Sequence, residues 1–247
     1  MQSLNKVPTG IEGLDELLNG GFLPRRVILV IGGPGTGKTI LATQFLVNGI
    51  TRYGENGVFI SLDESKPQFY HEMSQFGWDL EKFEKENKFL FIDATPIRTI
   101  PGAIKIGEIT VGRRDFSLLS LIEIIKRNVK QINAKRLALD SLATLAFQYF
   151  NSFERRIAIL DLIEALIETG TTCIVTNEMK MMGIERTIQP EEYLAQGVII
   201  LQSLQVGKNL VRVIQIEKMR GISHDTQLRP YKITDKGIEV YPKETVF

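Results

Sequence analysis

Cysteine is almost absent: Cys173 stands alone in 247 residues, which excludes an intrachain disulfide and any zinc centre assembled from cysteines. Its apolar neighbours make it a small residue of a buried strand. Charge of one sign is not in excess either, with 30 Lys and Arg against 29 Asp and Glu for a net +1. That balance lacks the basic surplus of a typical nucleic-acid-binding domain and leaves only a local basic patch open. Long apolar runs are missing too: stretches such as residues 27–31 and 198–201 fall far short of the ~20 residues that cross a bilayer, so no membrane helix is expected. The opening Met1-Gln2-Ser3-Leu4-Asn5-Lys6 lacks the basic, apolar and small-residue succession of a secretory signal, and a cytoplasmic location is expected. No low-complexity tract, Pro- or Ser-rich linker or internal repeat interrupts the chain, so residues 1–247 are expected to form one domain.

What is present is an alternation of two periodicities. Residues 27–31, 57–62, 89–92, 136–139 and 172–176 are short apolar, β-rich runs that read as strands buried on both faces. Between them, residues 39–53, 66–76, 116–131 and 153–169 carry apolar positions at helical spacing. This is the pattern of an α/β fold, a mostly parallel sheet flanked by helices. Residues 197–204, 211–218, 231–234 and 237–241 then follow as strands separated by turns such as Asp235-Lys236-Gly237, and predict C-terminal antiparallel strands that extend the sheet.

The first strand runs into Gly32-Gly33-Pro34-Gly35-Thr36-Gly37-Lys38-Thr39 and then a helical pattern from Ile40, which matches G-x-x-x-x-G-K-[ST] in its required strand, loop and helix order. Glycines let backbone N–H groups approach phosphate oxygens, and the helix N-terminus adds the positive end of its dipole. Gly33, Pro34, Gly35, Thr36, Gly37, Lys38, Thr39 and Ile40 are therefore the expected nucleotide-binding residues. Lys38 is expected on the β- and γ-phosphate oxygens, and the Thr39 hydroxyl on Mg²⁺, a hard cation that takes few protein ligands.

A second apolar run, Arg136-Leu137-Ala138-Leu139, ends in Asp140, where the carboxyl edge of an open α/β sheet binds ligands. Asp140 is the expected second Mg²⁺ ligand, direct or through water; helix capping is its alternative. The run over residues 57–62 ends in Asp63-Glu64 at the same edge. One of these acids is placed to orient and deprotonate an attacking water, Glu64 before Asp63. Asp63 or Ser65 capping the next helix is the bland alternative. Asn177 and Glu178 end the fifth strand, where an amide could sense the γ-phosphate.

Together with Thr9-Gly10-Ile11-Glu12-Gly13-Leu14-Asp15-Glu16-Leu17-Leu18, Gly77-Trp78-Asp79-Leu80, Glu191-Glu192-Tyr193 and Lys218-Met219-Arg220-Gly221-Ile222-Ser223-His224, these motifs resemble the KaiC branch of the RecA superfamily over nearly the whole chain. The resemblance implies an ATPase that works as a homo-oligomer, a hexameric ring, on ATP and Mg²⁺. It also implies that Lys218 and Arg220 approach the γ-phosphate of a neighbouring subunit and that His224 lies near that nucleotide's ribose or base. KaiC carries two such domains in tandem and this chain carries one. Where the autokinase half of KaiC has Ser and Thr acceptors, this chain has Glu192-Tyr193, so autophosphorylation is not expected. The first of the family's two consecutive glutamates is here Asp63, a shorter arm, which favours Glu64 as the base.

Two other function classes stay open at this level. RecA relatives bind single-stranded DNA through loops that correspond to residues 143–153 and 179–189, which here offer Phe147, Tyr149 and Phe150 with Lys180 and Arg186, and Arg113-Arg114 is either a further basic element or an exposed turn. A nucleotide-gated scaffold with little turnover, acting on an unidentified protein partner, is the third class.

Overall fold

The computed structural model describes residues 5–95, 104–106, 109–111, 118–146, 149, 151–182 and 185–246. In chain order the first half runs α1 (Leu14–Leu17), β1 (Val27–Gly32), α2 (Lys38–Tyr53), β2 (Gly57–Ser61), α3 (Lys66–Ser74), α4 (Leu80–Lys85), β3 (Phe89–Asp93), β4 (Ile104–Ile106) and β5 (Ile109–Val111). There follow α5 (Leu118–Gln131), β6 (Arg136–Asp140), α6 (Leu142–Ala146), α7 (Ser152–Glu168), β7 (Thr172–Glu178), β8 (Met181–Met182) and β9 (Glu185–Arg186). The chain ends with α8 (Pro190–Leu194), β10 (Gly197–Val206), β11 (Asn209–Met219), β12 (Arg229–Thr234) and β13 (Gly237–Val240).

Nine strands form one sheet in the order β13-β12-β11-β10-β1-β7-β6-β2-β3. Each expected element of the α/β pattern appears, with its boundaries displaced by a residue or two. Strand β1 is central because successive side chains feed opposite layers, as a period of two requires. Ile28 and Val30 join the α2 layer with Phe22, Phe45 and Phe59, while Val27, Leu29 and Ile31 join the α5 and α7 layer with Leu121, Ile125 and Leu162. Burying each such side chain stabilises the fold by roughly 1.5–3 kcal/mol, so both faces need their helices.

Two details differ from the sequence-based expectation. Strand β10 runs parallel to β1, with Ile28 opposite Gly197, and the antiparallel part begins only at β11. The connection after β7 crosses back to the opposite edge of the sheet before β10 starts, and that sets its direction; the apolar run carries no record of it. Strand β3 is buried on one face only: Phe89 and Phe91 pack inward, but Leu90 and Ile92 are half-buried because β3 is the sheet's outer edge.

The Thr9-to-Leu18 segment folds as a turn that ties the chain start to both α2 and the last strand. Asp15 accepts from the backbone of Thr9 at 2.7 Å and of Gly10 at 2.9 Å, and Arg52 donates to Gly10 O at 2.8 Å. The amide of Val240 donates to Glu12 O at 2.9 Å. Among the described residues, no helix is long and apolar enough to cross a membrane. Arg113, Arg114, Phe147 and Phe150 lie outside the described residues.

Candidate active site

Parallel strands end together, so β1, β7, β6 and β2 deliver Gly32, Glu178, Asp140 and Ser61 to one edge of the sheet. Internal bonds fix the shape of the loop after β1. Thr36 Oγ1 donates to Gly33 O at 2.8 Å, and Tyr231 of β12 donates its hydroxyl to Thr36 O at 2.5 Å. Gly37 has φ +87° and a Cβ there would press on Ile233 at 3.0 Å, while a Cβ on Gly32 would sit 2.4 Å from Thr36 Oγ1. Among the described residues, nothing lies within 4 Å of a Cβ built on Gly33 or Gly35, so they leave the outer side of the loop, with Pro34 between them, open for a ligand.

Lys38 opens α2 and folds its ammonium back onto Gly32 O at 3.0 Å and Gly33 O at 3.1 Å. Burial lowers its pKa; the charges of Asp140, Glu178 and Asp63 oppose that shift. Thr39 Oγ1 donates to Asp140 Oδ2 at 2.6 Å, and Thr176 donates to the other carboxylate oxygen. Burial raises the Asp140 pKa, against the pull of these two hydroxyls. Both Asp140 oxygens are taken by hydroxyls from neighbouring elements, not spent on the helix that follows. A hydroxyl and a carboxylate side by side are hard oxygen donors, and Thr39 with Asp140 fits a Mg²⁺ ion that keeps most of its waters. Ile40 lies one residue further along α2, half-buried against the α2 layer of the core.

The adjacent acids divide. Asp63 accepts from Thr144 and its charge is felt at both Lys38 and Asp140. Glu64 sits in a tight turn in which Ser61 Oγ donates to Glu64 O at 2.7 Å and accepts from its amide at 2.9 Å. Ser65 occupies the N-cap of α3 without a side-chain bond, so its capping alternative is not realised. Asn177 is buried, and Glu178 acts electrostatically on Lys38.

Lys218 and Arg220 are elsewhere. Lys218 is opposite Val198, which is opposite Leu29, whereas the phosphate loop leaves the sheet after Gly32. The offset is about 10 Å along the strands and about 10 Å across two of them. Their side chains point further away: Lys218 Nζ donates to Glu192 O at 2.8 Å, Tyr193 O at 3.2 Å and Ala195 O at 2.7 Å. Arg220 donates to Tyr193 O at 3.1 Å. His224 lies in the following turn with Nδ1 3.4 Å from Ile222 O, and its Nε2 is buried with no hydrogen-bond partner among the described residues. Neither Lys218 nor Arg220 bonds the phosphate loop of its own chain; both are held by α8 carbonyls.

Of the DNA-contact set, Tyr149, Lys180 and Arg186 lie among the described residues. Arg186 is 15% exposed and bonds Glu192 at 2.6 Å, with Glu217 at 3.7 Å, so it is not a free cation; buried Glu192 neutralises it. Tyr149 packs against the α5 and α7 layer of the core, and Lys180 is exposed. Sequence reasoning passed over Thr176, Thr144, Tyr231 and Gln189. Thr176 sits one alternation from the end of β7 and was within reach of a strand-period argument. Tyr231 bonds a loop 195 positions away and has no local signal.

The family described as "ATPase: KaiC" matches residues 7–245. A UPF0273 protein of Aeropyrum pernix is 37% identical over 98% of this chain and 96% of its own length. The circadian clock oscillator protein KaiC of Synechococcus elongatus is 35% identical over 98% of this chain, which spans 45% of that protein. The crystal structure of a KaiC-like protein from Pyrococcus horikoshii superposes with a TM-score of 0.82 at 37% identity, covering 97% of this chain and 100% of the other. The fold is thus the RecA-like fold of KaiC proteins, and the chain belongs to the KaiC family of ATPases.

Proposed function

We propose that this chain hydrolyses ATP with Mg²⁺ as a single-domain homo-oligomer, in which each subunit lends Lys218 and Arg220 to the site of the next. The observation that carries this reading is the split of the machinery between two ends of one sheet. The phosphate loop, Thr39, Asp140, Asp63 and Glu64 stand at the carboxyl edge, while Lys218 and Arg220 bond the carbonyls of α8 away from that edge, which supports a role for them at another subunit's site. A head-to-tail interface closes such faces into a ring, and a hexamer is the size the family resemblance favours.

In the assembled site, amides of residues 33–39 and the ammonium of Lys38, released from Gly32 O and Gly33 O, hold the β- and γ-phosphates. Thr39 and Asp140 would hold Mg²⁺, which when bound would supply neutralisation of charge on the phosphoryl oxygens. Glu64, with Asp63 beside it, accepts the proton of the attacking water. The neighbour's Lys218 and Arg220 meet charge that spreads onto the transferred group, worth about 10³–10⁵ in rate for a single arginine finger. Its His224 is placed for the ribose or base. No hydroxyl pair stands at Glu192-Tyr193, and Glu192 is buried in a bonding role, which supports hydrolysis without autophosphorylation.

The test is specific ATPase activity as a function of protein concentration, with light scattering for mass and with or without Mg²⁺. Activity that rises with assembly and needs Mg²⁺ supports the reading. Activity independent of assembly refutes action in trans, and tight ATP binding at background turnover makes the protein a nucleotide-gated scaffold.

A further inference from the structure

The short helix α8 holds the cations meant for a neighbour at one end, and its other end is bonded to the subunit's own phosphate site. At the C-terminal end, Glu192 O, Tyr193 O and Ala195 O take Lys218, and Tyr193 O takes Arg220. At the N-terminal end stands Gln189, 5% exposed, whose Nε2 donates to Glu178 O at 2.8 Å and whose Oε1 lies 3.4 Å from Asn177 Nδ2. Glu192 belongs to both ends: its Oε1 accepts from Gln189 N at 2.8 Å and its carbonyl from Lys218 Nζ at 2.8 Å, while its Oε2 accepts from Arg186 at 2.6 Å.

The connection continues into the phosphate loop. Asn177 and Glu178 are opposite Ile31 and Gly32 of β1, and the next amide, Met179 N, donates to Gly32 O at 3.2 Å. That same carbonyl takes Lys38 Nζ at 3.0 Å. When Lys38 leaves for a phosphate, Gly32 O loses one of its two donors, and the β7 end that Gln189 grips is next to it. Buried, bonded groups in a close-packed interior shift between discrete arrangements and do not yield gradually. The cations are seen on the α8 carbonyls, and the proposed assembly gives them a second place on a neighbour's phosphate.

We infer that Gln189 is a positioning residue that couples adjacent sites, so that occupancy of a subunit's own phosphate loop sets the placement of the Lys218 and Arg220 it offers to the next subunit. The inference rests on the proposed action of those residues in trans. Its consequence is cooperative hydrolysis around the oligomer, carried by the Gln189 side-chain bond to Glu178 O and not by the bulk of the side chain.

The experiment compares the full-length wild type with Gln189→Ala, Gln189→Met and Lys218→Ala, all assembled, for kcat, KM and the Hill coefficient for ATP, with mass and ATP affinity measured alongside. The wild type should show a Hill coefficient above one. Gln189→Met keeps the size but has no donor for Glu178 O, and should match Gln189→Ala: ATP affinity and mass retained, the Hill coefficient at one, and kcat down roughly 2- to 30-fold, the span of coupling residues that touch no ligand. A wild-type Hill coefficient of one overturns the inference without any variant, and so does Gln189→Met with wild-type cooperativity and kcat. Failure of the underlying reading looks different: Lys218→Ala would then hydrolyse ATP at the wild-type rate.

Discussion

If the two ends of the sheet serve two different sites, two inactive variants must rescue one another. Arg220→Ala keeps the phosphate loop, Thr39, Asp140 and Glu64 but offers the next subunit no guanidinium. Glu64→Gln keeps Lys218 and Arg220 and still binds ATP but has lost its base. Each alone should fall by about 10³–10⁵ or to background. Mixed at equal amounts and allowed to exchange, an interface is competent when its loop side comes from Arg220→Ala and its cation side from Glu64→Gln. Random head-to-tail assembly makes that about one interface in four, whatever the ring size. Activity per subunit should therefore climb from the background of either parent to about a quarter of wild type and trace a parabola in the mixing fraction that peaks at equal parts. The assay is steady-state phosphate release across mixing ratios, with mass by light scattering to show that mixed oligomers form. A flat line between the two parents, in a sample shown to exchange subunits, would falsify action in trans.

Three further outcomes follow from bonds already described. Tyr231→Phe removes the donor to Thr36 O in a buried setting, and should lower the unfolding free energy by about 1–2 kcal/mol and weaken ATP binding measured by calorimetry; unchanged affinity would mean the loop holds its shape without β12. Arg136 is fully buried against the rings of Phe45 and Tyr53 and bonds Glu55 at 2.6 Å, so Glu55→Gln should cost about 2–3 kcal/mol in urea unfolding, the low side of a broken buried pair because Glu55 is part-exposed and Phe45 O remains. A loss under about 0.5 kcal/mol would mean the rings and the carbonyl hold the guanidinium unaided. Burial pushes the Cys173 thiol up to about 12 from an ordinary 9.0, so above that ordinary value the unfolded chain ionises its thiol and the folded chain does not. Stability is then lost as pH rises, by up to about 1.4 kcal/mol per unit, and Cys173→Ala should lack this slope in urea melts at pH about 8 and about 10.5.

The parts of this site that were legible in the sequence are those whose cause is local. The phosphate loop is legible because backbone approach demands glycine at fixed spacing. Asp140 and Asp63-Glu64 are legible because parallel strands must end at one edge. What was not legible depends on convergence from afar. Arg136 reads as the first residue of a strand, and its burial needs Glu55, the two rings and the absence of a side chain on Gly49, whose Cβ would come within 2.5 Å of it. Arg186 reads as a loop cation, and only the fold brings Glu192 and Glu217 to it. The direction of β10 and the exposure of one face of β3 are properties of topology, which an apolar run does not record.

The placement of Lys218 shows how a small irregularity decides a site. Along β11, Ile214 and Ile216 point into the α2 layer, and strict alternation would send Lys218 after them. The register of β10 and β11 shifts between Val198 and Ile199, so that Glu217 is skipped and the inward position passes to Met219, which joins that core. Lys218 is thereby turned to the other face, where the α8 carbonyls lie, and Arg220 follows it with the same sense. Deleting Glu217 removes the bulge and makes Lys218 the residue after inward Ile216, so plain alternation keeps Lys218 on the α8 face and Met219 in the core; fold and activity should be retained. Glu217→Ala keeps the bulge and should stay within about 0.5 kcal/mol of wild type, as exposed substitutions do, with activity retained. If the deletion loses activity while Glu217→Ala keeps it, the facing of Lys218 and Met219 does not suffice to place the cations, and the extra residue of the bulge is itself required.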